Sequence, residues 1–362
     1  MKRLALLFLL LPNSSFGCTD GKISSLPLSL LVFSPDGKWL VGAGGTVRER
    51  GGDEGIVKTW ETKSWKIHET WAEGFDARVE SVFFVSFDTV ATVRPKVRRR
   101  GLLDSSPPFD GTLLRYWNVP EKKELEPLHL KKMTGGDGIA FHVPNKRVAF
   151  FGLSPRLAAV YTLPDLEQKV VLKDCPPAML RFSPDGRRIL AGIADHESTE
   201  IRLYDSTTGL VVANQKLEVP KDRNKYPRIR SAEFSPDGKK IAIGAIEPLK
   251  IHVFSADLSA TMLTIEPGKF IVPDCVKFTP DSEMIAVRNK DSKVVELYSL
   301  KTKEVVKSFS NTPEGAYAWC FSPDGNWIAI TSAGDPGGSG RFPQSKERVF
   351  EVKTGKLVAE LD

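Results

Sequence analysis

The chain has few of the residues on which enzyme chemistry usually rests. Among 362 residues there are five His and four Cys. His68, His129, His142, His196 and His252 form neither an HExxH pair nor another metal-ligand spacing. Three of them, His68, His129 and His252, fall within predicted strands, where a packed or exposed strand residue is the expectation. No Gly-x-Ser-x-Gly elbow occurs, so a nucleophile held on a strand-to-helix turn is not expected. Gly51-Gly52 and Gly337-Gly338-Ser339-Gly340 lack the Lys and Ser or Thr that complete a phosphate loop, and they read as loop tips. Cys18, Cys175, Cys275 and Cys320 include no CxxC. Only Cys275 and Cys320 lie in neighbouring repeats, where a bridge would need Cα atoms within about 7 Å, and buried free thiols are the favoured reading. No apolar run approaches the roughly 20 residues that a membrane-spanning helix needs. The net charge of +6 includes Lys2 and Arg3 and is too mild to point to nucleic acid. No catalytic residue, metal or cofactor is therefore expected.

What the chain has in quantity is repetition. Phe-Ser-Pro-Asp-Gly stands at Phe33 to Gly37, Phe182 to Gly186, Phe234 to Gly238 and Phe321 to Gly325, with Phe-Thr-Pro-Asp-Ser at Phe278 to Ser282. Proline presets φ for a type I turn, Asp accepts a hydrogen bond from nearby backbone, and Gly supplies the left-handed residue that ends the loop. Apolar residues on both sides make each copy a strand, a tight turn and a strand. Once this register is fixed, weaker copies emerge at Phe84, ahead of Ser86-Phe87-Asp88, and at Phe141, ahead of Val143-Pro144-Asn145. The seven anchors are 41 to 57 residues apart, and a minimum just above 40 matches a four-stranded propeller blade. A second marker follows each anchor, an aromatic residue ending a later strand: Trp60, Trp117, Tyr161, Tyr204, Phe254, Tyr298 and Phe350. The expected fold is all-β, a seven-bladed β-propeller of four-stranded antiparallel blades over residues 28–362.

The phrase Ile201-Arg202-Leu203-Tyr204-Asp205, its Ser206-Thr207-Thr208-Gly209 turn and the following Leu210-Val211-Val212 resemble the third strand, turn and outer strand of a WD-repeat blade. The resemblance covers about residues 28 to 362. The chain departs from that family in having no Gly-His dipeptide and in replacing Trp-Asp by Trp60-Glu61, Trp117-Asn118 and Tyr204-Asp205. The Pro-Asp-Gly turns look closer to bacterial exported propellers. Because Lys356 to Leu361 supplies the outer strand of blade seven, closure of the ring by an N-terminal strand is not expected.

Residues 1–17 have the three parts of an export signal: Lys2 and Arg3, apolar Leu4 to Leu11, and small or polar residues through Gly17. Ser15-Phe16-Gly17-Cys18 looks like a lipoprotein processing box, which leaves two outcomes open, ordinary cleavage near Gly17 or lipid attachment at Cys18. Both place the mature protein outside the cytoplasm, with residues 18–27 as a linker.

Insertions interrupt the rhythm between the second and third strands of blades one, two and seven, at Thr46 to Gly55, Arg94 to Gly111 and Ser332 to Glu347. In a closed ring these blades are neighbours. The long link Lys216 to Arg230 opens on the same face. The candidate binding residues are Arg48 and Arg50; Arg98, Arg99, Arg100 and Phe109; Arg341 and Phe342; and Arg223 and Lys225 in the link. The expected function is that of a non-enzymatic, exported, monomeric scaffold for an unidentified protein or acidic envelope component. The alternative is a propeller enzyme of lactonase-like type, or a small-ligand binder, using the central channel.

Overall fold

Each copy of the repeated phrase closes a hairpin by the same set of bonds. In the first, Ser34 N donates to Trp39 O at 2.8 Å and Gly37 N to Ser34 O at 2.9 Å. The Ser34 hydroxyl donates to Asp36 Oδ1 (2.7 Å) and accepts from Trp39 N (3.0 Å), while Asp36 Oδ1 also accepts from Lys38 N (3.2 Å). The same hydroxyl–carboxylate pair recurs as Ser183–Asp185, Ser235–Asp237, Thr279–Asp281 and Ser322–Asp324, and in the weak copy as Ser86–Asp88. Gly37, Gly186, Gly238 and Gly325 hold φ between 70° and 72°, the left-handed region that glycine enters without steric cost. In the worn copy Ser282 carries that conformation at φ 62°.

The computed structural model describes residues 28–46, 54–75, 79–97, 109–130, 139–151, 158–175, 179–194, 199–217, 228–246, 250–265, 276–289, 294–310, 316–332 and 345–361. Blade 1 holds β1 (Leu28–Phe33), β2 (Trp39–Thr46), β3 (Glu54–Glu61) and β4 (Lys66–Phe75). Blade 2 holds β5 (Ser81–Phe84), β6 (Thr89–Val97), β7 (Phe109–Asn118) and β8 (Lys123–Leu130). Blade 3 holds β9 (Ile139–His142), β10 (Arg147–Phe151), β11 (Ala158–Thr162) and β12 (Gln168–Val171). Blade 4 holds β13 (Met179–Phe182), β14 (Arg188–Ala194), β15 (Thr199–Asp205) and β16 (Val211–Lys216). Blade 5 holds β17 (Arg228–Phe234), β18 (Lys240–Ile246), β19 (Lys250–Ser255) and β20 (Thr261–Ile265). Blade 6 holds β21 (Val276–Phe278), β22 (Met284–Asn289), β23 (Val294–Ser299) and β24 (Val305–Phe309). Blade 7 holds β25 (Ala316–Phe321), β26 (Trp327–Ser332), β27 (Glu347–Glu351) and β28 (Leu357–Leu361). Every blade is a four-stranded antiparallel sheet in sequence order, so the expected all-β, seven-bladed propeller is what forms.

A row of three large side chains crosses each blade. The anchor Phe pairs with an aliphatic residue of the second strand, which pairs in turn with the aromatic marker of the third. Blade 1 has Phe33, Leu40 and Trp60; blade 4 has Phe182, Ile189 and Tyr204; blade 7 has Phe321, Ile328 and Phe350. Just before the marker the ladder to the outer strand shifts register in six blades, for instance between Leu203 and Tyr204. In blade 2 the shift comes one residue earlier, between Leu114 and Tyr116. A bulge at that point strengthens the local twist a blade needs to lie against its neighbours. The markers Trp60, Trp117, Tyr204, Phe254 and Phe350 are buried.

The core divides into seven apolar clusters, one at each interface between successive blades. A lone blade has two apolar faces, and only flanking blades can cover both. The ring closes by such packing: Phe33, Leu40 and Trp60 of blade 1 lie against Ala329 and Val349 of blade 7. Both sheets are made wholly of sequence-consecutive strands, which agrees with the expectation that no N-terminal strand completes blade 7.

The expected boundaries need correction at every insertion: Thr46 lies in β2, Glu54 and Gly55 in β3, Ser332 in β26 and Glu347 in β27. Arg94 and Lys96 belong to β6 and Asp110 to β7, because the hairpin of blade 2 continues through Arg94↔Leu113, Pro95↔Thr112 and Val97↔Phe109. Lys216, Arg228 and Arg230, assigned by sequence to the long link, lie in β16 and β17. The interrupted segments are correspondingly shorter, with 98–108 between β6 and β7 and 217–227 between β16 and β17.

Candidate functional site: the loop rim and the axial channel

Strand direction sorts the connections onto two rims. Connections from second to third strands and from one blade to the next leave one rim, the loop rim. First-to-second and third-to-fourth turns occupy the opposite turn rim. Arg48, Arg50, Arg98, Arg99, Arg100, Arg341, Phe342, Arg223 and Lys225 lie outside the described residues, as do Cys18 and the rest of 1–27. Phe109 opens β7 opposite Val97. What the structure does place are the stems of the three long connections: Thr46↔Glu54, Val97↔Phe109 and Thr331↔Glu347. They stand on consecutive blades 1, 2 and 7 of the closed ring. In blades 1 and 2 the stems are long. β2 and β3 have 8 residues, β6 has 9 and β7 has 10, against 5 in β11 and 6 in β23.

Polar bonds cross the seam beneath these stems. Leu28 N donates to Ser345 Oγ at 2.9 Å, and Thr331 Oγ1 bonds both Leu28 O (3.2 Å) and Glu347 Oε1 (3.1 Å). Glu347 is buried, and its carboxyl is pushed above the usual range by burial, opposed by Ser345, the charge of Lys58 and Thr331. Blades 1 and 2 are tied between the outer strand β4 and the third strand β7. Arg115 bonds Glu124 through two contacts of 2.7 Å, lies 4.4 Å from the Trp117 ring and reaches Ala72 O at 3.4 Å. Trp71 stacks on Trp117 at 5.0 Å. Side-chain contacts thus join the three blades that carry the stems, blade 7 to blade 1 and blade 1 to blade 2.

The second candidate is the channel on the ring axis, walled by the seven first strands. Its charged lining comes from Glu80, Arg181, Glu233 and Lys277. Lys277 Nζ lies 3.5 Å from Glu233 Oε2, and Arg181 Nη1 donates to Leu180 O at 2.8 Å. Burial drives the Glu233 carboxyl above the usual carboxylate range, against the opposing pull of Lys277, the Phe278 backbone and Arg181. Cys175 and Cys320 are free thiols, as expected. Burial pushes Cys175 up to about 11 and Cys320 higher still, so neither is a thiolate at neutral pH. Cys275 lies outside the described residues.

His68 is in β4, His129 in β8 and His252 in β19, in line with the strand reading. His68 Nε2 contacts Val119 O at 3.0 Å, and His252 Nδ1 contacts Thr264 Oγ1 at 3.2 Å. Among the described residues no group of three or more His, Cys, Asp or Glu is placed to hold a metal ion. Sequence reasoning missed Arg181, Glu233 and Lys277. Their one signal is that each immediately precedes an anchor Phe, a position whose role appears only once first strands are known to wall a channel.

Fold and site together define a seven-bladed β-propeller with an uneven loop rim. Comparisons with known proteins agree on the fold and go no further. No family model matches the chain, and no curated protein matches it. A chain in the crystal structure of the mitotic checkpoint complex is similar, with 14% identity and a TM-score of 0.59 over 91% of this chain and 96% of that one. At that identity the likeness speaks for the propeller alone.

Proposed function

We propose that this chain is a non-enzymatic, exported protein-binding scaffold whose contact surface is the loop rim at blades 7, 1 and 2. The observation that carries this reading is the adjacency of the three stems across the ring seam, on a base tied by Thr331, Ser345, Arg115 and Trp71. A rigid scaffold that presents irregular connections at one place is the usual arrangement of a recognition surface. Arg98, Arg99 and Arg100 in the blade 2 connection, with Arg223 and Lys225 in the long link, give that rim a basic character suited to an acidic partner. The mitotic checkpoint neighbour is likewise a chain crystallised within a complex. Residues 1–17 serve as the export signal, followed either by ordinary cleavage near Gly17 or by lipid attachment at Cys18.

Replacing residues 98–108 by a two-residue Asn-Gly turn tests the reading. Crosslinked capture of the partner from the native envelope falls strongly while the unfolding midpoint stays within a few degrees, because the stem still closes at Val97↔Phe109. Unchanged capture overturns the assignment. A parallel charge reversal of Arg98, Arg99 and Arg100 to Glu reduces capture and its salt dependence without shortening the chain.

A further inference from the structure

The seven first strands are equivalent in register, so the residue just before each anchor Phe occupies the same station around the axis. In ring order these residues are Val32, Phe83, Ala140, Arg181, Glu233, Lys277 and Cys320. Blades 1 to 3 fill the station with Val, Phe and Ala, so the fold does not demand charge there. Blades 4 to 6 place a cation, an anion and a cation side by side. Gathering three charges on a half-buried wall carries a desolvation cost. At this station blades 1 to 3 leave the facing wall apolar and aromatic.

These charges line a cavity of about 380 Å³, within the range of small-molecule sites. Phe141, Phe182, Pro144 and Pro184 complete its wall and its mouth at the turn rim. Phe83 stacks on Phe141 at 4.7 Å, extending the aromatic side. His142 also lines the cavity, with Nε2 3.1 Å from Pro184 O. Arg181 and Lys277 stand against one carboxylate, Glu233, so the charges on this wall sum to +1. Glu80 lines the channel three residues further from the turn, roughly 10 Å along the strand toward the loop rim.

We propose that this cavity binds a small amphipathic monocarboxylate. The carboxylate is held by Lys277 and Arg181, and the apolar body lies against Phe141 and Phe182. Glu233 acts as the resident counter-ion that the ligand displaces from Lys277. The site is independent of the loop rim and opens on the opposite side of the ring.

Titration calorimetry on the full chain with benzoate tests the proposal, with inorganic phosphate and benzylamine as comparators. Benzoate binds saturably at one site, phosphate binds more weakly for want of an apolar body, and benzylamine does not bind. Lys277→Met and Arg181→Met each weaken benzoate about tenfold or more, the loss expected for a charge-assisted hydrogen bond. Glu233→Gln tightens it, a gain that a damaged fold cannot produce. The proposal is overturned if benzoate does not bind, if phosphate or benzylamine matches it, or if Lys277→Met and Glu233→Gln leave its affinity unchanged.

Discussion

The two rims of this ring obey different rules. On the turn rim every blade repeats the same bonds. The residue after the third strand donates its N–H to the carbonyl just past the first turn in all seven blades, as in Thr62 to Lys38, Ser206 to Arg187 and Val352 to Asn326. Successive turns also touch, for the Gly37, Gly238 and Gly325 turns lie against Pro323, Pro184 and Pro280 of the preceding blade. On the loop rim the described strands end unevenly, for the third strand has 10 residues in blade 2 and 5 in blades 3 and 7. Uniformity marks what every blade needs in order to pack. Departure from it marks what only some blades need, and binding is a requirement of that kind.

This contrast can be broken or sharpened by substitution. The largest effect belongs to the shared inter-blade rows. Trp60→Ala empties a fully buried site at the seam of blades 7 and 1 and should cost about 3–5 kcal/mol in urea unfolding, whereas Val306→Ala on an outer strand stays within about 0.5 kcal/mol. A single cooperative transition in both proteins is expected of a closed ring.

Smaller effects should rank the turns. Gly186→Ala places a Cβ 2.6 Å from His142 Cε1 in addition to its positive φ, while Gly238→Ala meets only Pro184 Cδ at 3.9 Å. The strain of φ alone costs about 1 kcal/mol, so Gly186→Ala should exceed Gly238→Ala by a measurable margin. Equal losses would show that neighbouring turns do not support one another. Ser34→Ala removes the hydroxyl bonded to Asp36 and Trp39 and should cost about 1 kcal/mol.

The smallest effect is the pH dependence of the turn rim. The Asp88 and Asp185 carboxyls are lowered chiefly by hydrogen bonds from Ser86 and Ser183. At Asp36, Asp237 and Asp324 burial pushes upward and is outweighed by hydrogen bonds, with Ser34, Ser235 and Ser322 foremost. A lowered folded-state value means that the stabilisation is present above the unfolded pKa of about 3.9 and is lost as pH falls through the folded values. Unfolding below about pH 4 should therefore steepen, and Ser322→Ala should move acid unfolding to higher pH. Partial exposure of these carboxylates keeps each contribution small.

Much of the ring was legible because its signals are local. Proline, Asp and a left-handed Gly specify a turn within five residues, and an aromatic marker repeated seven times fixes the blade count. The serine was not legible as a bridging hydroxyl, since a Ser before Pro has many uses. The length of the blade 2 hairpin was hidden by Pro95 and the cations around it, which erase the alternation of a strand. The ladder accommodates them by shifting register between Pro95 and Val97. The trio Arg181, Glu233 and Lys277 is scattered over almost a hundred residues, and only the closed ring brings its members to one station.

Site-specific photocrosslinking in the native envelope tests the central claim most directly. A photoreactive residue at Phe109, on the loop rim, and another at Arg187, exposed on the turn rim, present the same chemistry to opposite sides of one fold. Adducts to a partner protein from position 109 and none from 187 are the predicted result. Adducts from 187 with none from 109 would contradict the assignment of function to the loop rim.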